Sequence, residues 1–171
     1  MRLLSLLIFI SLSTSAQQSY IDYVSPYHPV VGKSGMVVSQ NNLSSDIGVE
    51  ILNKGGNAVD AAVAVGFSLA ITLPRAGNLG GGGFMLVYLK EKNEIFYIDY
   101  RSKSPLNSSI DKIFDLDGKT IKPENFTNDM FNKTRYGYKA SAIPGTVAGL
   151  LEAHENFGKL PLEEVLAPAI R

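Results

Sequence analysis

Residues 76–101, AGNLGGGGFMLVYLKEKNEIFYIDYR, contain four consecutive glycines followed by two apolar runs. The runs at 84–89 and 95–100 are rich in strand-forming residues, and the polar segment 90–94 separates them. This pattern predicts an antiparallel hairpin whose second strand ends at Arg101. A permanently charged side chain therefore stands at the end of a rigid element, a position typical of recognition residues.

The glycines at 80–83 allow two interpretations. A glycine can adopt φ > 0, and its missing Cβ lets another segment or a ligand approach the backbone closely. Phosphate-binding glycine motifs follow a strand and open a helix, whereas these glycines follow a predicted helix and precede a strand. The context disfavours phosphate binding, and a tight connection with close backbone packing is the simpler interpretation.

The composition is that of a globular domain with a sizeable core, since 45% of the 171 residues are hydrophobic and 19% are charged. The 16 basic and 16 acidic residues cancel, so no nucleic-acid or anionic membrane partner is indicated. The absence of cysteine excludes disulfides and a thiolate nucleophile. His28 and His154 stand in no ligand-spaced motif, so we predict neither a metal site nor a cofactor.

The first residues are typical of a secretory signal peptide. Arg2 gives a positive start, residues 3–12 are mainly apolar, and residues 14–16 are small. An apolar run of this length is too short for a transmembrane helix, which takes about 20 residues. We therefore expect residues 1–16 to be removed on export, leaving a mature segment from residue 17 that is secreted or periplasmic and not membrane-bound; an uncleaved anchor is the alternative.

A helix is predicted over residues 58–72, after a glycine terminator at 55–56. Asn57 is its expected N-cap, and Asp60 lies where a carboxylate meets unpaired backbone N–H groups. We therefore interpret Asp60 as a cap, not as a catalytic acid. The helix is apolar on almost every side, which predicts burial against a sheet.

Several weaker patterns complete the chain. Short strands are predicted at 35–40 and 138–143. Three further helices are predicted, one capped by Ser44 or Ser45, one capped by Thr146 and one with Pro161 in its first turn. His154 is expected on the flank of a packed helix face, not in a catalytic role. Residues 102–133 are expected to form a surface excursion. Four Asn-x-Ser/Thr triplets, the acceptor sequence for N-glycosylation, begin at Asn42, Asn107, Asn125 and Asn132. They are relevant only in a host that glycosylates proteins.

Five segments together resemble the gamma-glutamyltransferases, in the order and spacing of that family. They are GMVVSQ at 35–40, GGNAVDAAVAV at 55–65, GNLGGGGFML at 77–86, IDYR at 98–101 and IPGTVAG at 143–149. The resemblance runs over residues 35–171 and identifies residues 17–171 as the front part of the family's large subunit.

The resemblance implies an α+β fold, the four-layer αββα fold of N-terminal nucleophile hydrolases, incomplete in this chain. It also implies an exported precursor that cleaves itself into a large and a small subunit. A threonine exposed at the start of the small subunit attacks γ-glutamyl compounds such as glutathione. That nucleophile would lie beyond Arg171, so no residue of this chain is assigned a catalytic role.

Arg101 matches the family arginine that binds the α-carboxylate of the γ-glutamyl group. A guanidinium suits this task because it offers two parallel N–H donors and stays charged when partly desolvated. The family usually has an acidic residue next, whereas Ser102 and Lys103 follow here. The charge balance beside the arginine therefore differs from the family pattern.

Two alternatives to a γ-glutamyl hydrolase or transferase remain open from the sequence. Related acylases act on cephalosporin side chains or on poly-γ-glutamate, and the front half separates these poorly. A non-catalytic exported module could also retain the carboxylate-binding arginine alone. The small-subunit sequence distinguishes these alternatives.

The chain alone should have no γ-glutamyl transfer activity, because none of its threonines begins the chain and signal removal exposes Gln17. The measurement is release of nitroaniline from a γ-glutamyl anilide by the purified 171-residue chain. Turnover above the uncatalysed rate would contradict this expectation.

Overall fold

The computed structural model describes residues 31–106, 108, 136–137 and 140–171. Lys33–Arg171 forms one compact unit, to which all the structural statements below refer. The predicted signal peptide and most of the predicted surface excursion, including three of the four Asn-x-Ser/Thr triplets, lie outside the described residues. Those interpretations therefore stay predictions.

The predicted hairpin is confirmed. Strand β1 spans Phe84–Leu89, strand β2 spans Glu94–Asp99, and they pair antiparallel with Phe84 opposite Asp99. The turn between them includes Asn93 at φ 52°, a left-handed conformation that asparagine tolerates better than most residues. The second strand lies one residue earlier than predicted, so Arg101 follows its end by two residues.

The two faces of the hairpin differ in burial. Val87 and Ile98 are buried in the core, and Phe96 packs on Phe157 with ring centroids 5.0 Å apart. The opposite face is exposed among the described residues and carries Phe84, Leu86, Tyr88, Ile95 and Tyr97. The alternation expected of a half-buried strand is therefore present, although both faces are apolar.

Five helices accompany the hairpin in the described residues: α1 Asn42–Asn53, α2 Ala58–Thr72, α3 Pro74–Gly77, α4 Thr146–Phe157 and α5 Leu162–Ile170. Helix α2 is central, because it packs on each of the other four. Its main partners in the described residues are helices, but its buried side chains share one hydrophobic core with Val87 and Ile98 of the hairpin, so the expected burial against a sheet is met in part. Ala62 and Ile71 of α2 remain exposed.

Asp60 confirms the predicted cap. Asn57 and Asp60 form a capping box at the start of α2, with the Asp60 carboxylate 2.8 Å from the Asn57 backbone nitrogen. The fully buried carboxylate also accepts from the backbone N–H groups of Lys159 and Leu160. Asp60 thereby connects α2 to the turn between α4 and α5, and its oxygens are occupied by backbone donors.

The predicted caps of two other helices are wrong by one to four residues. Asn41 caps α1 instead of Ser44 or Ser45, and Gly145 stands at the N-cap of α4, which makes Thr146 its first residue. Ser44 points inward and is fully buried. Thr72 donates to the Ser68 carbonyl, so Ser44 must donate to Thr72 and accept from Ser68 in a closed chain of hydroxyls.

Neither predicted short strand is present as such in the described residues. Residues 35–40 have no hydrogen-bonded strand neighbour, and a strand exists only when its backbone groups are paired. Of the segment 138–143, only the bridge between Ile143 and Lys103 is seen, and residues 138–139 lie outside the described part.

The glycine run is used for close packing. Among the described residues positive φ occurs only at Asn93, Gly55 and Gly137, so the freedom to adopt φ > 0 is not what residues 80–83 require. A Cβ on Gly82 would lie 2.6 Å from the carbonyl oxygen of Tyr100 and would also collide with the Ser102 backbone nitrogen. The absent side chain therefore lets the loop lie directly against the chain that leaves β2.

Replacement of Gly82 by alanine should lower the free energy of unfolding by about 1–3 kcal/mol or more, because two backbone atoms would have to move. Gly80→Ala is the matched control within the same run, since its Cβ would meet only the Asn78 side-chain oxygen, at 3.3 Å. Urea denaturation of both variants measures the difference. Equal midpoints would show that the close packing at Gly82 has no energetic importance.

Candidate functional site

The backbone of Arg101 is fixed from the side of the hairpin. Tyr100 and Gly83 exchange two backbone hydrogen bonds, with Tyr100 donating at 3.1 Å and Gly83 donating at 3.3 Å. This pair extends the ladder by one step beyond β1 and β2. The Arg101 backbone N–H donates to Oδ1 of Asp99 at 3.0 Å. Backbone hydrogen bonds therefore hold both Tyr100 and the amide of Arg101.

A second pair of bonds fixes the chain after Arg101. Lys103 donates to the Ile143 carbonyl at 3.1 Å, and Ile143 donates to the Lys103 carbonyl at 2.8 Å. The Arg101 side chain is exposed between these two anchored points. Among the described residues, no carboxylate lies within 4 Å of its guanidinium nitrogens. An exposed cation is therefore carried by a backbone that is bonded before, at and after it.

Tyr100 lies in a cradle formed by three glycines, Gly83, Gly145 and Gly149. A Cβ on Gly83 would lie 2.8 Å from Cε2 of the Tyr100 ring, and one on Gly149 would overlap the ring itself. A Cβ on Gly145 would lie 2.8 Å from the Tyr100 carbonyl carbon. Burial raises the pKa of the Tyr100 phenol above its ordinary value.

The start of helix α4 is capped by a carbonyl from the glycine loop. Gly81 accepts from the backbone N–H groups of Gly145 at 2.8 Å and Thr146 at 3.2 Å. No side chain caps this helix, so the loop carbonyl takes that role. The Thr146 hydroxyl donates to the Asn78 carbonyl at 3.4 Å. The glycine loop, the exit of β2 and the start of α4 therefore meet at one place.

Two cavities border this meeting point. A small cavity of about 150 Å³ lies between the end of α2, the glycine loop and the start of α4, and Tyr100 and Thr146 line it. A larger groove of about 890 Å³ runs between residues 34–38, α2 and β1. Its lining is mainly apolar, and Arg101 lines neither cavity. The groove has the character of an uncovered packing surface, since ligand sites also present convergent polar groups.

The sequence motif predicts Arg101 as a binding residue, which stays a prediction, and it does not single out Tyr100, Gly145 and Gly149, which lie against the backbone that carries it. The latter two glycines are four apart, so they lie on one face of α4, which is a signal for close approach by another segment. Tyr100 has no comparable signal. The hairpin contains several aromatic residues, and the sequence does not show which of them packs between glycines.

The remaining candidates have structural roles in the described part of the chain. Nε2 of His154 donates to the Leu160 carbonyl at 2.9 Å and lies 3.6 Å from Asp60, which confirms a place on a packed flank. No group of three metal-ligating side chains occurs within the described residues. Nor does that part of the chain contain a helix long and apolar enough to span a bilayer.

Comparison with known proteins gives one family. Residues 44–171 match the family model of the gamma-glutamyltranspeptidases. A glutathione hydrolase proenzyme from Escherichia coli K12 is 44% identical over 145 residues, which cover 85% of this chain. The chain spans 23% of the length of that relative, and thus about a quarter of a complete proenzyme.

Solved structures agree. The gamma-glutamyltranspeptidase of Helicobacter pylori matches with a TM-score of 0.70 and 38% identity over 83% of this chain and 38% of that chain. The enzyme of Pseudomonas nitroreducens, complexed with L-DON, matches with a TM-score of 0.68 and 42% identity over 82% of this chain and 38% of that chain. These matches confirm the predicted fold, an incomplete part of the αββα architecture of N-terminal nucleophile hydrolases. The chain belongs to the gamma-glutamyltranspeptidase family.

Proposed function

We propose that this chain is the front part of the large subunit of an exported γ-glutamyl hydrolase or transferase precursor. Family membership and 44% identity to a protein named as a glutathione hydrolase proenzyme support this assignment. The signal-like residues 1–16 support a secreted or periplasmic location. The substrate class is small γ-glutamyl compounds, with glutathione as the leading candidate.

The proposed chemistry uses a threonine at the start of a small subunit, encoded beyond Arg171. Its hydroxyl oxygen attacks the γ-glutamyl carbonyl, and its own α-amine accepts the hydroxyl proton. The γ-amide C–N bond then breaks, and the amine on its nitrogen side leaves with a proton. The acyl-enzyme then transfers the γ-glutamyl group to water or to the amine of an acceptor. In this scheme the present chain supplies recognition, and the small subunit supplies the nucleophile.

Arg101 carries the proposed recognition of the donor's α-carboxylate. The supporting observation is an exposed guanidinium on a backbone that is hydrogen-bonded before, at and after residue 101. The parallel N–H donors of a guanidinium match the two oxygens of a carboxylate. When the backbone that carries the guanidinium is fixed, less conformational entropy is lost on binding. This geometry favours donors with a free α-carboxylate.

A local pairing of Arg101 with Asp99 is the competing explanation of its position. In the structure Asp99 accepts from the backbone N–H of Arg101, and its carboxylate lies beyond 4 Å from the guanidinium nitrogens. Asp99 thus orients the main chain and does not pair with the guanidinium. The change from the family's acidic residue to Ser102 removes another carboxylate that could compete for the same donors.

The reading frame beyond Arg171 gives the first test. We expect it to encode a segment that starts, after self-cleavage, with threonine. A frame that continues without such a threonine would overturn the enzyme proposal and favour a non-catalytic carboxylate-binding module. Sequencing of the transcript and mass analysis of the processed protein provide the measurement.

Arg101→Lys in the matured enzyme should weaken donor use by about 2–4 kcal/mol, on the order of 30- to 1,000-fold in kcat/KM. Lysine retains the charge but loses the parallel donors. The measurement is steady-state hydrolysis of γ-glutamyl-4-nitroanilide. Self-cleavage into two subunits should be largely unchanged, because it needs the threonine and not the donor.

Arg171→Lys is the matched control, since Arg171 also makes a two-oxygen contact with a carboxylate, Glu50, but on an exposed surface. Exposed pairs of this kind contribute little, so the control should keep full donor activity. A kcat/KM that stays within about threefold of the wild-type value in Arg101→Lys would show that Arg101 does not anchor the donor.

A further inference from the structure

We propose that Tyr100 is a positioning residue for the donor site: its ring, wedged between Gly83 and Gly149, sets where Arg101 presents its guanidinium. This inference rests on the proposed role of Arg101 in binding the donor's α-carboxylate. It assigns to Tyr100 no contact with the substrate. Its action is through the backbone of the residue that follows it.

The first argument is that Tyr100 supplies the side-chain bulk of the cradle. Its three cradle partners are glycines, which contribute backbone alone. The ring therefore fills the space between the glycines of the loop and of α4, and its removal would enlarge the small cavity that Leu150 and Thr146 also line. A gap of that kind either collapses or leaves both elements less constrained.

The second argument is that the cradle joins two elements that carry Arg101 between them. Gly83 belongs to the loop before β1, and Gly149 belongs to α4. The bridge from Lys103 to Ile143 lies just before the start of α4. If the ring is lost, the hairpin and α4 can shift relative to each other, and the segment 101–102 that connects the two anchored points must shift with them.

The third argument concerns sensitivity. Two parallel hydrogen bonds to a carboxylate tolerate little displacement, and a misplacement of about 1 Å can cost on the order of 100-fold in rate. The exposed Arg101 side chain has no described carboxylate to fix its direction. Its orientation therefore depends on its backbone, and the backbone depends on the packing of its neighbour.

The phenol hydroxyl is not required by this proposal. The phenol oxygen lies 3.1 Å from the position that a Cβ on Gly83 would occupy, whereas side-chain carbon atoms make the closest approaches to Gly83 and Gly149. Tyr100→Phe should therefore preserve the position of Arg101, and Tyr100→Ala should lose it. This pair of variants separates the effect of the ring from the effect of the hydroxyl.

The test uses two substrates that differ in the group that Arg101 binds. γ-Glutamyl-4-nitroanilide carries the α-carboxylate, and 4-aminobutyryl-4-nitroanilide is its decarboxylated counterpart, which keeps the amine on the same carbon. The ratio of their kcat/KM values reports preference for the complete γ-glutamyl group. General loss of folded enzyme lowers both values together and leaves the ratio unchanged, so a merely structural role would not alter it.

In the matured full-length enzyme, Tyr100→Ala should reduce this ratio at least tenfold, mainly through a higher KM for the glutamyl substrate. Tyr100→Phe should stay within threefold of the wild type. Tyr88→Ala is the matched control, because Tyr88 lies on the exposed face of the same hairpin. Adding Tyr100→Ala to Arg101→Lys should reduce the ratio little further, since both act on one contact.

Each other outcome has a defined meaning. If Tyr100→Ala lowers activity toward both anilides equally, Tyr100 is structural and the inference is wrong. If Arg101→Lys itself leaves the ratio unchanged, the proposed role of Arg101 fails, and the positioning role fails with it. If Tyr100→Ala does not mature, Tyr100→Leu takes its place, since leucine keeps apolar volume while losing the flat ring that fits between the glycines.

Discussion

The packing around the backbone of Arg101 depends on the close approach of Tyr100 to the backbone of three glycines. Any side chain at those three positions would prevent this contact. A Cβ at Gly83, Gly145 or Gly149 would meet the ring or the carbonyl of Tyr100. Because these positions lack one, the glycine loop, the exit of β2 and the first turn of α4 meet closely around the single side chain of Tyr100. Interiors packed this closely have few alternative arrangements, so Arg101 leaves the hairpin in one defined direction.

Helix α4 connects this region to the helical part of the molecule, because both of its ends are bound by other segments. Its first N–H groups donate to the Gly81 carbonyl. At its other end, the Phe157 carbonyl accepts from the Asn57 side chain at 2.6 Å, and Lys159 donates to Asp60. The backbone donors around buried Asp60 satisfy the hydrogen-bonding capacity of its oxygens. Because both of its ends are held by hydrogen bonds, α4 has little freedom to move relative to Arg101.

The hairpin, the buried cap at Asp60 and the existence of the main helices could all be predicted from the sequence, since each rests on a local pattern. Alternating apolar runs, an asparagine followed three residues later by an acid, and paired glycine terminators carry their own physical reasons. The helix caps were less predictable. Asn41 and Ser44 are both plausible N-cap residues, and only the inward hydroxyl chain of Ser44 decides between them.

The site itself was only partly predictable for a related reason. Arg101 was recognisable from the motif that surrounds it, but the residues that fix its backbone come from positions far apart in the chain. No local pattern shows that the Gly81 carbonyl caps α4 or that Ile143 pairs with Lys103. Likewise, residues 35–40 have the composition of a strand, yet composition does not supply a hydrogen-bonded neighbour.

The cap that Gly81 provides for α4 has a consequence for the order of folding. The hairpin closes through a short turn, a fast event with a small entropic cost of loop closure. The capped turn of α4 instead needs a carbonyl that precedes it by a long stretch of chain, including the whole hairpin and residues 102–142. The rest of α4 can form before that contact. Its first turn, at Gly145 and Thr146, is capped only after the glycine loop has packed against it. On these grounds we expect the geometry around Arg101 to be completed after the hairpin that carries it.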